Sequence, residues 1–172
     1  MAVRRTALFV LCTMFACLFT IPTRAQGVTD KVEVFGGYSF MHYGFSPSLN
    51  TNGWELAGEY KVNHWLGGVA DIAGHYGTFQ GVSTHLNDYL FGPQASFPAP
   101  VSPFAHVLVG EEHFGATGVT NNSFAYGLGF GIDTSILPQI KWRIVQLDVI
   151  HSHLFNDGQS NTRVSTGIVI HF

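Results

Sequence analysis

The residues of this chain best placed to do chemistry are His151-Ser152-His153, two imidazoles flanking a hydroxyl in a sequence that carries nine histidines. On a strand, residues two apart share a face, so His151 and His153 could present both rings to one metal ion. A structural zinc site needs about four ligands, however. The only cysteines, Cys12 and Cys17, lie far away near the N-terminus, and no Asp/His cluster converges in the sequence. A serine hydrolase would need a histidine within hydrogen-bond reach of the serine and a third group to orient it. Adjacent side chains on a regular strand point to opposite faces, so Ser152 reaches neither His151 nor His153. The expectation is no metal, no cofactor and no catalytic residue, with the histidines as polar residues at a rim.

The remaining chemistry is charge, and there is little of it: 11% of residues are Asp, Glu, Lys or Arg, against 46% hydrophobic. An ordinary soluble domain carries about twice that charged fraction. Glu55, Glu59, Lys61, Asp71, Asp133, Arg143, Asp148 and Arg163 fall on the polar sides of alternating segments. If those sides point into a narrow interior, these eight must form a polar network, because an unpaired buried charge costs several kcal/mol.

Eight segments alternate apolar and polar residues with the period of two that marks a strand. They are Lys31 to Tyr43, Trp54 to Val62, Trp65 to Gly77, Asp88 to Phe97, Val101 to Phe114, Ser123 to Asp133, Ile140 to Leu154 and Arg163 to Phe172. The sixth is the cleanest, with Phe124, Tyr126, Leu128, Phe130 and Ile132 set against Ala125, Gly127, Gly129, Gly131 and Asp133. In the seventh, Arg143 is out of phase with Gln146 and Asp148. Placing all three on one face requires an extra residue, so the pattern predicts a β-bulge near Ile144 or Val145. Polar, turn-forming stretches at Gly44 to Gly53, Thr78 to Asn87, Gly115 to Asn122 and Phe155 to Asn161 read as long loops. They alternate with short turns, including Asn63-His64 and the one around Pro138.

Residues 1–25 read as a secretory signal peptide: Arg4 and Arg5, an apolar run from Ala7 to Ile21, then Thr23-Arg24-Ala25 as a cleavage site. Removing them takes both cysteines and changes the formal charge from −3 to −6. An acidic chain without disulfides is then expected over 26–172, and one without nucleic acid as a partner, since phosphates demand a basic face. The last strand carries Val164, Thr166, Ile168, Ile170 and Phe172 on one face and ends on an aromatic residue. Its free edge needs a partner, and the first strand of the same chain is the economical one, which closes a barrel.

Phe91-Gly92-Pro93, the run from Pro103-Phe104 to Gly110, Gly127-x-Gly129-x-Gly131-x-Asp133, Arg143-x-x-Gln146-x-Asp148 and the stretch Gly167 to Phe172 occur in that order. Together they resemble the outer-membrane β-barrel domain family related to the OmpA transmembrane domain. Two positions depart from its pattern: Gln94 replaces a frequent basic residue, and Val149 a frequent aromatic. The resemblance implies an all-β, eight-stranded antiparallel up-and-down transmembrane barrel, in the cell outer membrane of a Gram-negative-type bacterium. Its partners would be outer-membrane lipids and the barrel-assembly machinery, which would read Gly167, Ile168, Ile170 and Phe172 as an assembly signal. In such barrels the long loops face outward, while short turns and both termini face the periplasm.

Periodicity alone does not say which face is inside, because a lipocalin-like barrel would turn the same apolar face inward. Aromatic volume decides. Trp54, Tyr60, Tyr76, Tyr89, Phe91, Phe124, Tyr126, Phe130 and Phe172 share one face, and eight strands enclose room only for ordinary side chains. The aromatic face is therefore expected outside. The function expected is non-enzymatic, structural or envelope-maintaining, with a plugged polar lumen. The alternatives are a small porin, a loop-mediated adhesin or ligand binder, a lipid A-modifying hydrolase, and a secreted lipocalin-like binder.

Overall fold

A computed structural model describes residues 31–44, 49–79, 82–116, 119–152 and 158–172. The signal-peptide reading of residues 1–25, and with it Cys12 and Cys17, lies outside the described residues, as does His153. Eight strands follow in chain order: β1 (Val32–Tyr43), β2 (Leu49–Lys61), β3 (Leu66–Phe79), β4 (Val82–Ser96), β5 (Val101–Ala116), β6 (Val119–Leu137), β7 (Ile140–Ser152) and β8 (Gln159–His171). Every strand pairs antiparallel with its neighbours in sequence, and β8 pairs back onto β1, from Glu33 opposite His171 to His42 opposite Thr162. The sheet is a closed up-and-down barrel. Among the described residues there is no helix, so none is available to cross a membrane.

The faces sort as aromatic volume requires. Trp54, Tyr60, Tyr76, Tyr89, Phe91, Phe124, Tyr126, Phe130 and Phe172 are all exposed, whereas the opposite side chains of the same strands are buried. Apolar side chains outside and polar ones inside invert a soluble lipocalin-like barrel. Phe35 and Met41, which interrupt the alternation of β1, point inward and are buried.

The bulge lies where the charge phase of β7 demands it. Val145 pairs with Ile132 and Arg143 with Asp133, leaving Ile144 as the extra residue, and the β7–β8 register shifts between Arg143 and Gln146. Arg143, Gln146 and Asp148 are consequently all buried in the interior.

The long loops of the sequence reading are corrected. β2 begins at Leu49 instead of Trp54, β3 reaches Phe79 and β4 starts at Val82, so most of the expected loop from Thr78 to Asn87 is a pair of strand arms. Likewise β5 runs to Ala116, β6 spans Val119 to Leu137, and β8 starts at Gln159. The physical reason is that Asn, Thr, Ser and Gly in these arms satisfy their backbone groups across the ladder, while their side chains alternate between the exterior, as Asn50, Asn52 and Asn122 do, and the lumen, as Thr51, Thr84 and Asn161 do. Composition marks such residues as turn-forming whether or not a partner strand is present. The four connections at this end, called here the loop end, are therefore not uniformly longer than those at the other.

Candidate functional site in the barrel lumen

Each inward position is set by its strand's alternation, and the barrel stacks these positions in layers. At the terminus end, Glu33 on β1 gathers three basic groups. Lys61 of β2 donates a short hydrogen bond to its Oε1, Lys141 of β7 donates at 2.9 Å, and His171 Nδ1 of β8 lies 3.3 Å away. Lys61 thus sits at the mouth and only half-buried, where its ammonium can reach both the carboxylate and solvent.

Beneath this mouth, Arg143 lies between the rings of Phe35 and Phe104, 4.4 and 4.2 Å from their centroids. Its Nε and Nη2 donate to the two carboxylate oxygens of Asp133 at 2.9 and 3.2 Å, and its Nη1 donates to Gln146 at 2.6 Å. The planar fork of arginine suits both the bidentate contact and the stacking. On the far wall, Gln94 Nε2 donates to Glu59 at 2.7 Å. Gln94, where the resembling family often has a base, thus meets a carboxylate with a neutral donor.

The central layer is built on Arg163, which is 0% exposed. Its Nη1 and Nη2 donate to Asp71 at 2.9 and 3.0 Å, and its Nε donates to Asp148 at 2.8 Å and lies 3.5 Å from Glu55. Gln146 Nε2 donates to both Glu55 and Asp148 at 2.8 Å, and Ser165 Oγ donates to Glu55 at 2.5 Å. His106 Nε2 lies 2.7 Å from Asp148 Oδ1. One guanidinium thus holds three carboxylates from β2, β3 and β7 against β8, with amide and hydroxyl donors taking lone pairs the arginine leaves over.

Towards the loop end the lumen becomes mixed. Met41, Tyr43, Leu49, Leu86, Leu108 and Ile150 are buried there. Ser39 Oγ bonds His75 Nε2 at 2.9 Å, and His75 Nδ1 lies 3.6 Å from Asp88. Asp88 is the register partner of Glu112, and both are buried.

The interior therefore holds Glu55, Glu59, Asp71, Asp133, Arg143, Asp148 and Arg163, with Lys61 at its mouth. Sequence reasoning missed Glu33, Lys141, His106, His75, Gln146 and Ser165 as members of these layers. Their inward phase was readable from the alternation, but their partners come from strands up to 126 residues away in sequence. Of the residues expected to form an assembly signal, Ile168, Ile170 and Phe172 lie on the exposed exterior, and Gly167 sits at the β1–β8 seam.

Ser152 and His151 are on opposite sides of the wall. Ser152 faces the lumen and accepts hydrogen bonds from Gln159 and Asn161, while His151 faces out and bonds Ser160 at 2.9 Å. Among the described residues no group of three or more His, Asp or Glu side chains is arranged to hold a metal ion.

No family model matches the sequence, and no curated protein matches it. Solved structures do match the fold. Neisserial surface protein A superposes with a TM-score of 0.69 at 16% identity, over 86% of this chain and all of that one. Ail, the attachment invasion locus protein of Yersinia pestis, gives 0.54 at 14% identity, over 81% of this chain and 97% of its own. One structure of Ail contains the heparin analogue sucrose octasulfate. The N-terminal β-barrel domain of Pseudomonas aeruginosa OprF gives 0.51 at 8% identity, over 83% of this chain and 98% of that one. The chain has the fold of the small eight-stranded outer-membrane barrels.

Proposed function

We propose that this protein is a non-enzymatic barrel of the bacterial outer membrane, exported by residues 1–25 and structural or envelope-maintaining in role. The observation that carries this reading is the pairing of an apolar, aromatic exterior with an interior whose centre is crossed by hydrogen-bonded charge. The exterior suits lipid on all sides, since every ladder is closed and no backbone edge is left unpaired. The interior suits a plug, because ions passing through would have to displace Arg163 from three carboxylates at once. The terminus end, whose mouth Lys31, Lys61 and Lys141 line, suits the periplasmic side, where such barrels keep their short turns and termini. The sequence has no Lys or Arg at the loop end, which does not fit capture of a sulfated glycan like the one bound to Ail.

One preparation tests the reading. Protein extracted from the membrane fraction should begin at Gln26, migrate differently in detergent gels before and after heating, and give little or no conductance in planar bilayers. Recovery in the soluble fraction would sink the membrane reading, and stable large channels would replace the plug with a porin.

Partnership with the barrel-assembly machinery is proposed through Gly167, Ile168, Ile170 and Phe172. Deleting Phe172, whose ring is exposed at the end of β8, should lower outer-membrane levels and leave aggregates in the periplasm while synthesis continues. Undiminished membrane levels of the truncated chain would count against it.

A further inference from the structure

Outside the barrel, the loop end carries a pattern of its own. Each of its four hairpins bears one histidine facing outward: His42 on β1, His85 on β4, His113 on β5 and His151 on β7. Across each hairpin stand Asn50, Tyr76, Asn122 and Ser160, respectively. His42 Nδ1 is 2.6 Å from Asn50 Oδ1, His113 Nδ1 2.5 Å from Asn122 Oδ1, and His151 Nδ1 2.9 Å from Ser160 Oγ. The His85 ring lies over Gly115, where a Cβ would fall 2.2 Å from Nε2. Where an amide oxygen accepts from Nδ1–H, the neutral ring keeps Nε2 as an acceptor, and gaining a proton turns that edge into a cationic donor.

Among the described residues, these rings are the basic groups on the outer surface of this end. Of the eight Lys and Arg in the sequence, Arg4, Arg5 and Arg24 precede the barrel, Lys31, Lys61 and Lys141 surround the opposite mouth, and Arg143 and Arg163 are inside. The outward groups that face the rings are mostly uncharged. Asn50 and Thr162 flank His42, Tyr76 and Gly115 flank His85, Asn87 and Asn122 flank His113, and Tyr126 and Ser160 flank His151. Glu111, two residues from His113 on the same face of β5, is the charged exception among the described residues of this surface. His153 and Asp157 belong to the connection after β7, outside the described residues.

We infer that these four histidines form an acid-dependent contact surface for the phosphate-bearing headgroups of the surrounding leaflet. The inference rests on the membrane reading above. The rings sit on four different hairpins around a closed barrel, so a leaflet that encircles the barrel can meet all of them at once. Exposed aromatics fix the depth, with Tyr38 four residues from His42, Tyr89 four from His85, and the Tyr126 ring 5.4 Å from that of His151 and tilted to it; such residues settle at headgroup level. A neutral ring offers the headgroups one donor and one acceptor, whereas a protonated ring offers two donors and a positive charge facing anionic phosphates, attracted over about 10 Å at 0.1 M salt.

The test reconstitutes the full-length barrel into vesicles of phosphatidylcholine, alone or mixed with phosphatidylglycerol, and reads two quantities at pH 5.5 and 7.5. These are the phosphatidylglycerol retained on gentle detergent extraction and the heating midpoint of the folded gel band. Acidification should raise the retained phosphatidylglycerol severalfold and raise the midpoint in the anionic vesicles relative to the neutral ones. Taking that difference removes any response of the buried lumen groups. H42Q, H85Q, H113Q and H151Q combined keep polar side chains at the rim and should abolish both changes, while each single substitution should remove a part. Inorganic phosphate added to phosphatidylcholine vesicles should reproduce neither change. A pH response that survives in the combined variant, or that free phosphate reproduces, overturns the inference and leaves the barrel reading standing. A protein that never inserts overturns both.

Discussion

Arg163→Ala should cost the barrel about 3–5 kcal/mol of unfolding free energy, the range for removing one partner of a buried ion pair, and stands to be the most damaging single side-chain truncation in the lumen. The guanidinium has no exposure, and its removal strands Asp71, Asp148 and Glu55 together, each from a different strand. Gln146 and Ser165 still donate to Glu55 and Asp148, but they bring no charge to offset three buried carboxylates. The loss should appear as a lower heating midpoint of the folded band and a lower urea midpoint in detergent. Arg163→Lys should recover only part of it, since a single ammonium cannot hold Asp71 with two parallel bonds while also reaching Asp148. An unchanged midpoint for Arg163→Ala would mean that water or protons neutralise these carboxylates in the native lumen, and that the plug does not depend on the arginine.

Gly167→Val should prevent closure, with most of the protein failing to reach the folded band in unheated gels. Gly167 of β8 is the register partner of Gly37 of β1, across the seam where the two ends of the sheet meet. A Cβ at residue 167 would fall 2.3 Å from Gly36 O and 2.5 Å from the Cα of Gly37, and a Cβ at residue 37 would fall 2.2 Å from Thr166 O. These are backbone atoms, so the strands would have to part, and parting them opens the one ladder that joins the chain's distant segments. Gly167→Ala should show a milder version of the same defect. Gly58→Ala is the control: its added Cβ meets nothing within 4 Å, so that variant should fold normally and gain slightly from reduced chain entropy. A normally folded Gly167→Val protein would show that the seam tolerates side chains and that closure rests on other contacts.

Both expectations combine something legible in the sequence with something that was not. The phase of Arg143 against Gln146 and Asp148 was enough to place a bulge near Ile144 or Val145, because a strand has only two faces and buried charge permits only one. The outward placement of Trp54, Tyr76, Phe124 and Phe130 followed from volume, since eight strands cannot enclose that many aromatic rings. The connections were misread for an equally physical reason. Asn50, Asn52, Asn87 and Asn122 carry the composition of loops, and nothing local distinguishes a loop from a strand arm whose polar side chains face headgroups or water.

Alternation along the chain determined the number of strands, the bulge, and the side of the wall on which nearly every charged and aromatic residue stands, because those depend on a period of two and on the cost of burying charge. Only closure of the barrel decided who meets whom. Arg163 selects Asp71, Asp148 and Glu55, Glu33 draws Lys61, Lys141 and His171 together, and Gly37 faces Gly167, because tilt and register of the closed sheet bring strands to one height that no spacing in the sequence relates. Among the described residues, the same closure sets one outward-facing histidine on each hairpin of the loop end. Four residues that read as isolated polar positions thereby become a collar at one level of the barrel.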